Sequence, residues 1–184
     1  VVLSRGLGDV YKRQPLRVYS DRITKSLDSM IGDIEFEFAM RYGNPSIYDG
    51  LEKLKKKGVD ELLLLPMFPH FAQATTESSL KHSYKQLAKM NWNPKIIEMG
   101  HFETDEDYVI PLTKSIQSQI DKDTHLLFSY HGLPVSHVKR IDKSKSHCQK
   151  VNDCCSIKSE ANSLCYGHHC ICLLYTSPSP RDNT

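Results

Sequence analysis

The stretch "ELLLLPMF", residues 61–68, constrains the fold more than any other part of the chain. A continuous apolar run of this length predicts a strand buried on both faces. Such a strand needs helices above and below it, and the chain offers them in alternation. Ser20 can cap a helix running through Met30, with Ile23, Leu27, Met30 and Ile31 on one face. "IEFEFAMRYG" (34–43) then alternates Ile34, Phe36, Phe38 and Met40 inward with Glu35 and Glu37 outward. "NPSIYDGLEKLKKKG" (44–58) starts a helix with Asn44 as cap and Pro45 in the first turn, and Gly58 stops it.

After the apolar run, Thr75 and Thr76 predict a new helix start, with Leu80, Tyr84, Leu87 and Ala88 at helical spacing. "KIIEMG" (95–100) reads as a short strand. Asp105, Glu106 and Asp107 follow Thr104 at a helix N-terminus, where the dipole favours acids, and Pro111 kinks that helix or marks its start. "HLLFSY" (125–130) predicts the next strand and "LPVSHVKRI" (133–141) the next helix. The alternation predicts parallel βαβ units, hence an α/β fold with a Rossmann-like open parallel sheet and flanking helices.

The two ends do not read as native protein. "SRGLGDVYKRQ" and "CLLYTSPSPRD" back-translate, with allowed codons, into reverse-complementary DNA read one frame apart. Two protein termini have no reason to do so, whereas an adapter ligated at both ends of a DNA fragment does. Residues 1–14 and 172–184 are therefore set apart from the fold argument. Removing Arg5, Lys12, Arg13 and Arg181 against Asp9 and Asp182 takes the formal charge from +2 to zero. That balance gives no reason to expect nucleic acid as a partner. No apolar stretch approaches the ~20 residues of a spanning helix. The cysteines are late and clustered, which points to a metal site or cytosolic thiols, and so to a cytoplasmic protein, rather than to a secreted disulfide framework.

Ligands of open α/β sheets sit beyond the carboxyl ends of the strands. That edge is predicted to carry Tyr42 to Pro45, Pro66 to Phe71 and Tyr130 to Gly132, which suggests a site for a flat, largely apolar ligand. His131 stands at the end of an apolar run and next to a glycine. It is either a packed histidine bonded to a carbonyl or an accessible imidazole able to bind a metal or take a proton near neutral pH. A serine-hydrolase reading fails for want of a G-x-S-x-G elbow, and no phosphate-binding glycine loop occurs.

"LLFSYHGLP", with "AMRYGNPSI" and "LPMFPHFAQATTESS" upstream, closely resembles the ferrochelatase family across nearly all of residues 15–171. The resemblance implies two similar Rossmann-like halves with a porphyrin cleft between them. Residues 15–121 would be the later part of the first half, and residues 122–171 the start of the second. It implies Fe²⁺ insertion into a porphyrin (protoporphyrin or coproporphyrin), with His131 as the catalytic residue, either base or iron ligand. Tyr42, Phe68, Phe71 and Tyr130 would contact the porphyrin, although plain core packing explains such aromatics equally well. The family's partner glutamate would lie beyond residue 171, so the chain by itself is expected to be inactive. Ile141 stands where the family usually has glycine or asparagine before the aspartate, here Asp142. The resemblance leaves oligomeric state and peripheral membrane association open. Two other readings remain: a sister chelatase acting on a corrin precursor, and a metal- or haem-binding protein without catalysis.

The segment "SHCQKVNDCCSIKSEANSLCYGHHC" holds Cys148, Cys154, Cys155, Cys165 and Cys170. Without a C-x₂-C pair a zinc ribbon is poorly supported. Some bacterial ferrochelatases carry a [2Fe–2S] cluster on internal cysteines, and this spacing looks similar. Cys148, Cys155, Cys165 and Cys170 are the candidate ligands, because the adjacent Cys154–Cys155 pair is not expected to supply two. Zinc and plain buried thiols stay as alternatives.

Overall fold

The computed structural model describes residues 2–4 and 13–176. They divide into two compact units, one holding residues up to 68 together with 73–100, the other 69–72 and the residues from 101 onward.

The first unit is a four-stranded parallel sheet in the order β2-β1-β3-β4, formed by Val2–Ser4 (β1), Phe38–Met40 (β2), Glu61–Pro66 (β3) and Lys95–Glu98 (β4). Helices Arg13–Met30 (α1), Ile47–Lys56 (α2) and Ser78–Lys89 (α3) make the crossovers. The open parallel α/β architecture expected from the sequence is therefore present. Ala39, Ile47, Leu51, Leu54, Leu62, Leu64 and Leu87 form the core, where α2 and α3 close over one face of the sheet. Ser46 caps α2: its hydroxyl accepts from the Asp49 N–H, and the Asp49 carboxylate accepts from the Ser46 N–H, a capping box.

Several expectations are corrected. β3 is buried on one face only, with Leu62 and Leu64 inside and Leu63 48% exposed. β2 shrinks to three residues because β1 offers only Val2–Ser4 to pair with Phe38–Met40. β1 itself, the start of α1 and the end of α6 (172–176) come from the segments set apart; the remainder of the two end segments lies outside the described residues. Ser20 sits inside α1, accepting from Thr24 through its carbonyl, and Ile23, Met30 and Ile31 are exposed. The cap of α2 is Ser46 rather than Asn44, since the Pro45 carbonyl is already engaged by the Met40 N–H at 2.8 Å and the helix starts after it. The Thr75/Thr76 cap is replaced by a π-turn, Gln73–Glu77, that leads straight into α3.

The second unit is helical and loop-rich. It contains Glu106–Gln117 (α4, with Pro111 inside), Val135–Ile141 (α5), a 3₁₀ turn at Glu160–Asn162, and Tyr166–Thr176 (α6). The strand expected at 125–130 is absent: those residues are irregular, and Leu127 is 89% exposed. A strand exists only with a hydrogen-bonded neighbour, and among the described residues none pairs with this run.

Candidate functional site

His131 lies in the irregular stretch 124–134 and is exposed, so the image of an imidazole at the mouth of a buried strand is corrected. Burial, then the neighbouring Cys170, raises the Tyr166 phenol, with the His131 backbone pulling it partly back. His70 packs edge-on against Tyr130 with centroids 5.7 Å apart, and against Tyr166 at 5.6 Å. Phe128 stacks on Tyr130 at 6.4 Å. The loop carrying His70 thus meets Tyr130, the neighbour of His131 in sequence, and Tyr166 of α6.

His70 Nε2 and the Tyr130 hydroxyl are both buried and have no hydrogen-bond partner among the described residues. Burial pushes the His70 imidazole below its ordinary value, with Glu103 pulling it partly back. The ring is therefore neutral with a nitrogen to offer. Buried polar atoms without partners are rare, because each forfeits its bonds to water. Two in one place mark a spot shaped for something else. His70 was not among the site residues expected from sequence; its motif "FPHF" carried no sign that one nitrogen would be left unpaired.

The other expected porphyrin contacts separate. Tyr42 and Phe68 belong to the first unit, Phe71 and Tyr130 to the second. The Arg41 guanidinium lies over the exposed Tyr42 ring, 4.4 Å from its centroid, and donates from Nε to the Ser78 hydroxyl. Phe68 is half-buried at the end of β3. Phe71, also half-buried, donates its backbone N–H to His169 Nδ1 at 3.1 Å.

That last bond decides how a second cluster reads. His101, Glu103 and His169 bring ligand atoms within 4.8 Å of one another. Glu103 and His169 are buried, His101 Nδ1 is 2.9 Å from the carboxylate, and the two imidazoles stack at 4.2 Å. The spacing suits a metal, but the hydrogen bonds do not. His169 Nδ1 accepts from Phe71, so Nε2 carries the proton and donates to the Ser163 carbonyl at 2.8 Å. A metal-bound imidazole needs the reverse, with its outer nitrogen donating. The trio is a polar packing cluster: Phe71 and Ser163 hold His169 by hydrogen bonds, and its stack on His101 brings α6 against residues 101–103.

The thiols form a third cluster. Cys148, Cys154 and Cys165 line a cavity of about 10 Å³ with Asp142, His147 and Asn162. Cys154 and Cys155 have sulfurs 4.0 Å apart. Two thiolates on one tetrahedral metal, at metal–sulfur distances of ~2.3 Å, stand about 3.8 Å apart. Gly167, at the start of α6, gives Cys155 its room: a Cβ there would come within 3.0 Å of its sulfur. The backbone N–H of Gln149 points at the Cys154 sulfur, 3.4 Å away. Burial pushes the Cys155 thiol up to about 12, with Cys165 and Cys154 adding to it. Burial, then Cys165 and Cys154, raises Cys148 as well. Thiols this crowded ionise together only when a cation joins them. Cys170 faces Tyr166 instead and is pushed up to about 11 by burial.

The sequence profile of the ferrochelatase family matches residues 8–171. The chain belongs to the ferrochelatase family. It is 36% identical over 154 residues to the ferrochelatase of Opitutus terrae, covering 83% of this chain and 45% of that protein. Against the ferrochelatase of Bdellovibrio bacteriovorus it is 33% identical over 159 residues, 85% of this chain and 46% of the relative. The ferrochelatase of Rhizobium etli gives 32% over 155 residues, with 82% and 45% covered. The chain spans just under half the length of these relatives. His131 and Cys148, Cys154, Cys155, Cys165 and Cys170 fall inside the span that matches the ferrochelatase profile. A cavity of about 620 Å³ between α1 and β2 contains none of them. Its walls are ion pairs such as Lys25–Asp21 and Lys53–Glu37, which satisfy one another.

Proposed function

We propose that the full protein containing this chain inserts Fe²⁺ into a porphyrin, protoporphyrin or coproporphyrin, in haem synthesis, and that His131 is its catalytic histidine. The observation that carries this reading is the family match across residues 8–171, with "FSYHGLP" inside it. Insertion requires the loss of two pyrrole protons and the stripping of water from the ion. An exposed imidazole can take one of those protons or hold the arriving ion. His70 offers a second neutral nitrogen, already free of water. Tyr42, Phe68, Phe71 and Tyr130 are proposed to contact the apolar ring. The protein is proposed to work in the cytoplasm, and a water-averse porphyrin gives it reason to touch a membrane peripherally. No described helix is long and apolar enough to cross one.

The test is the full-length gene product with Fe²⁺ and free-base porphyrin, read by the Soret shift of the metalated ring. His131→Ala should lower the rate by two or more orders of magnitude, the usual contribution of a positioned acid–base group (~10²–10⁴). Activity untouched by His131→Ala removes the assignment. Cobalt insertion into a corrin precursor, with no porphyrin activity, would move the protein to the sister chelatases.

We further propose that the thiol cluster holds a [2Fe–2S] cluster. The donor set supports it: three of the thiols line one cavity, one sulfur pair has a spacing close to that on a shared metal, and Gly167 leaves space where a side chain would intrude. Cys148, Cys155 and Cys165 remain ligands, and Cys154 is preferred to Cys170 as the fourth because its sulfur lies beside that of Cys155. The turn through Asp153, with φ of 51°, brings the adjacent pair to one side. Such a cluster would pin the loops it bridges and hold one electron reversibly. A colourless, iron-free protein after anaerobic purification counts against it.

A further inference from the structure

The loop bearing these thiols is costly to fold. Lys145, Gln149 and Asp153 all have positive φ, between 51° and 57°, within nine residues. None is glycine, and a Cβ disfavours that region of backbone conformation. Strain of this kind persists only where the surroundings over-determine it, and it gathers at functional sites.

Asp142 supplies the constraint. Its carboxylate is buried and accepts five hydrogen bonds: from Ser144 N–H (3.0 Å), Ser144 Oγ (2.6 Å), Lys145 N–H (3.2 Å), His147 N–H (2.9 Å) and Cys148 N–H (2.9 Å). The chain is thereby wound around one side chain, and Cys148 is fixed at its end. His147 and Asn162, both buried, continue the frame. The Cys154 carbonyl accepts from His147 Nε2 at 2.8 Å and from Asn162 Nδ2 at 2.9 Å. Asn162 Nδ2 also donates to the Ile157 carbonyl at 2.7 Å, and the Asn162 carbonyl accepts from the Cys165 N–H at 2.8 Å. Three buried polar side chains therefore hold the backbone at Cys148 and at the Cys154–Cys155 step, while Cys165 is held by the Asn162 backbone carbonyl.

We infer that Asp142, with His147 and Asn162, is a positioning residue that sets the thiol nest in its binding arrangement before any metal arrives. The inference rests on the nest being a metal site, but not on which soft metal or cluster it takes. The frame meets the general need of metal sites for outer-shell groups that aim the ligands, whose loss commonly weakens binding ~10–100-fold.

The test uses the whole 184-residue chain, reduced and metal-free, titrated with Cd²⁺ and read by the thiolate-to-cadmium charge-transfer band. Asp142→Ala is expected to weaken Cd²⁺ binding at least tenfold. Asp142→Asn, which keeps one acceptor oxygen, should recover part of the loss. Ser144→Ala, which removes one exposed hydroxyl donor, should stay within about threefold of the parent if ligand aim follows the backbone bonds. Where Asp142→Ala does not fold by circular dichroism, Asn162→Ala is read in its place and should show the same loss. Parent-like affinity in the folded Asp142 or Asn162 variants overturns the inference. Anaerobic reconstitution with Fe²⁺ and sulfide separates it from the cluster reading. If the parent takes no cluster yet binds Cd²⁺ in an Asp142-dependent way, the cluster falls and the frame stands. A full cluster in Asp142→Ala overturns the frame.

Discussion

His70 and Tyr84 represent opposite ways for a single side chain to sit in this protein. His70 Nε2 is buried with nothing to bond, so replacing the ring by an apolar group of similar size removes a penalty along with a side chain. His70→Leu is expected to change unfolding free energy by no more than about 1 kcal/mol, as apolar replacement of an unsatisfied polar group does. Denaturant melts check it; a loss well above that size would mean that the ring has a structural partner. The same substitution in the full-length protein should lower metal insertion, which would identify the nitrogen as kept for function. Tyr84 is instead well served: it donates to Glu98, which with some burial pushes the phenol up to about 12. Because the folded pKa lies above the unfolded value near 10, the stabilisation is complete below pH 10 and is lost as pH rises towards 12. Tyr84 is 43% exposed, so screening holds the effect to a few tenths of a kcal/mol up to about 1. Stability measured between pH 9 and 12 should fall more steeply in the parent than in Tyr84→Phe, and equal slopes would remove the bond. Neither role could be read from the residue letters. His131 and the cysteines stand out in sequence because a motif or a cluster marks them, whereas an unpaired nitrogen is a property of the finished packing.

At the level of elements, α2 on β2 is the most tightly specified contact. Gly50 faces the strand, where an added Cβ would come within 3.2 Å of the Ala39 methyl. Ala39 is fully buried and fixed to a strand, so it has nowhere to yield. Gly50→Ala should therefore destabilise, since overpacking costs about 1–3 kcal/mol and the gain in helix propensity returns at most ~1. A rise in the denaturation midpoint would show that the strand moves aside. Elements bounded by local chemistry were legible: Lys-rich α2, stopping just before Gly58 although its cap is Ser46 and not Asn44, the short β4 and the acid-led α4 all occur in the expected stretches. Elements that depend on a partner were not. "ELLLLPMF" cannot tell whether its second face will be covered, and "HLLFSY" has the composition of a strand without a described neighbour to pair with. The π-turn before α3 was equally hidden, because Thr75 and Thr76 suit a cap as well as a turn.

For the whole molecule the deciding facts are that the chain spans just under half of its ferrochelatase relatives and that His131 is open to water. Metal insertion gains from a site that excludes solvent, because a hydrated Fe²⁺ must shed its waters and the pyrrole protons must reach a positioned acceptor. An exposed imidazole on an irregular segment provides neither exclusion nor fixed orientation, and positioning of reacting groups is worth several orders of magnitude. The 184-residue chain mixed with Fe²⁺ and free-base porphyrin is therefore expected to metalate no faster than buffer. The full-length gene product under the same conditions should exceed it at least a hundredfold, with the excess abolished by His131→Ala. Metalation by the short chain at the full-length rate would show that one exposed histidine and its neighbours suffice, and would remove the need for a closed cleft.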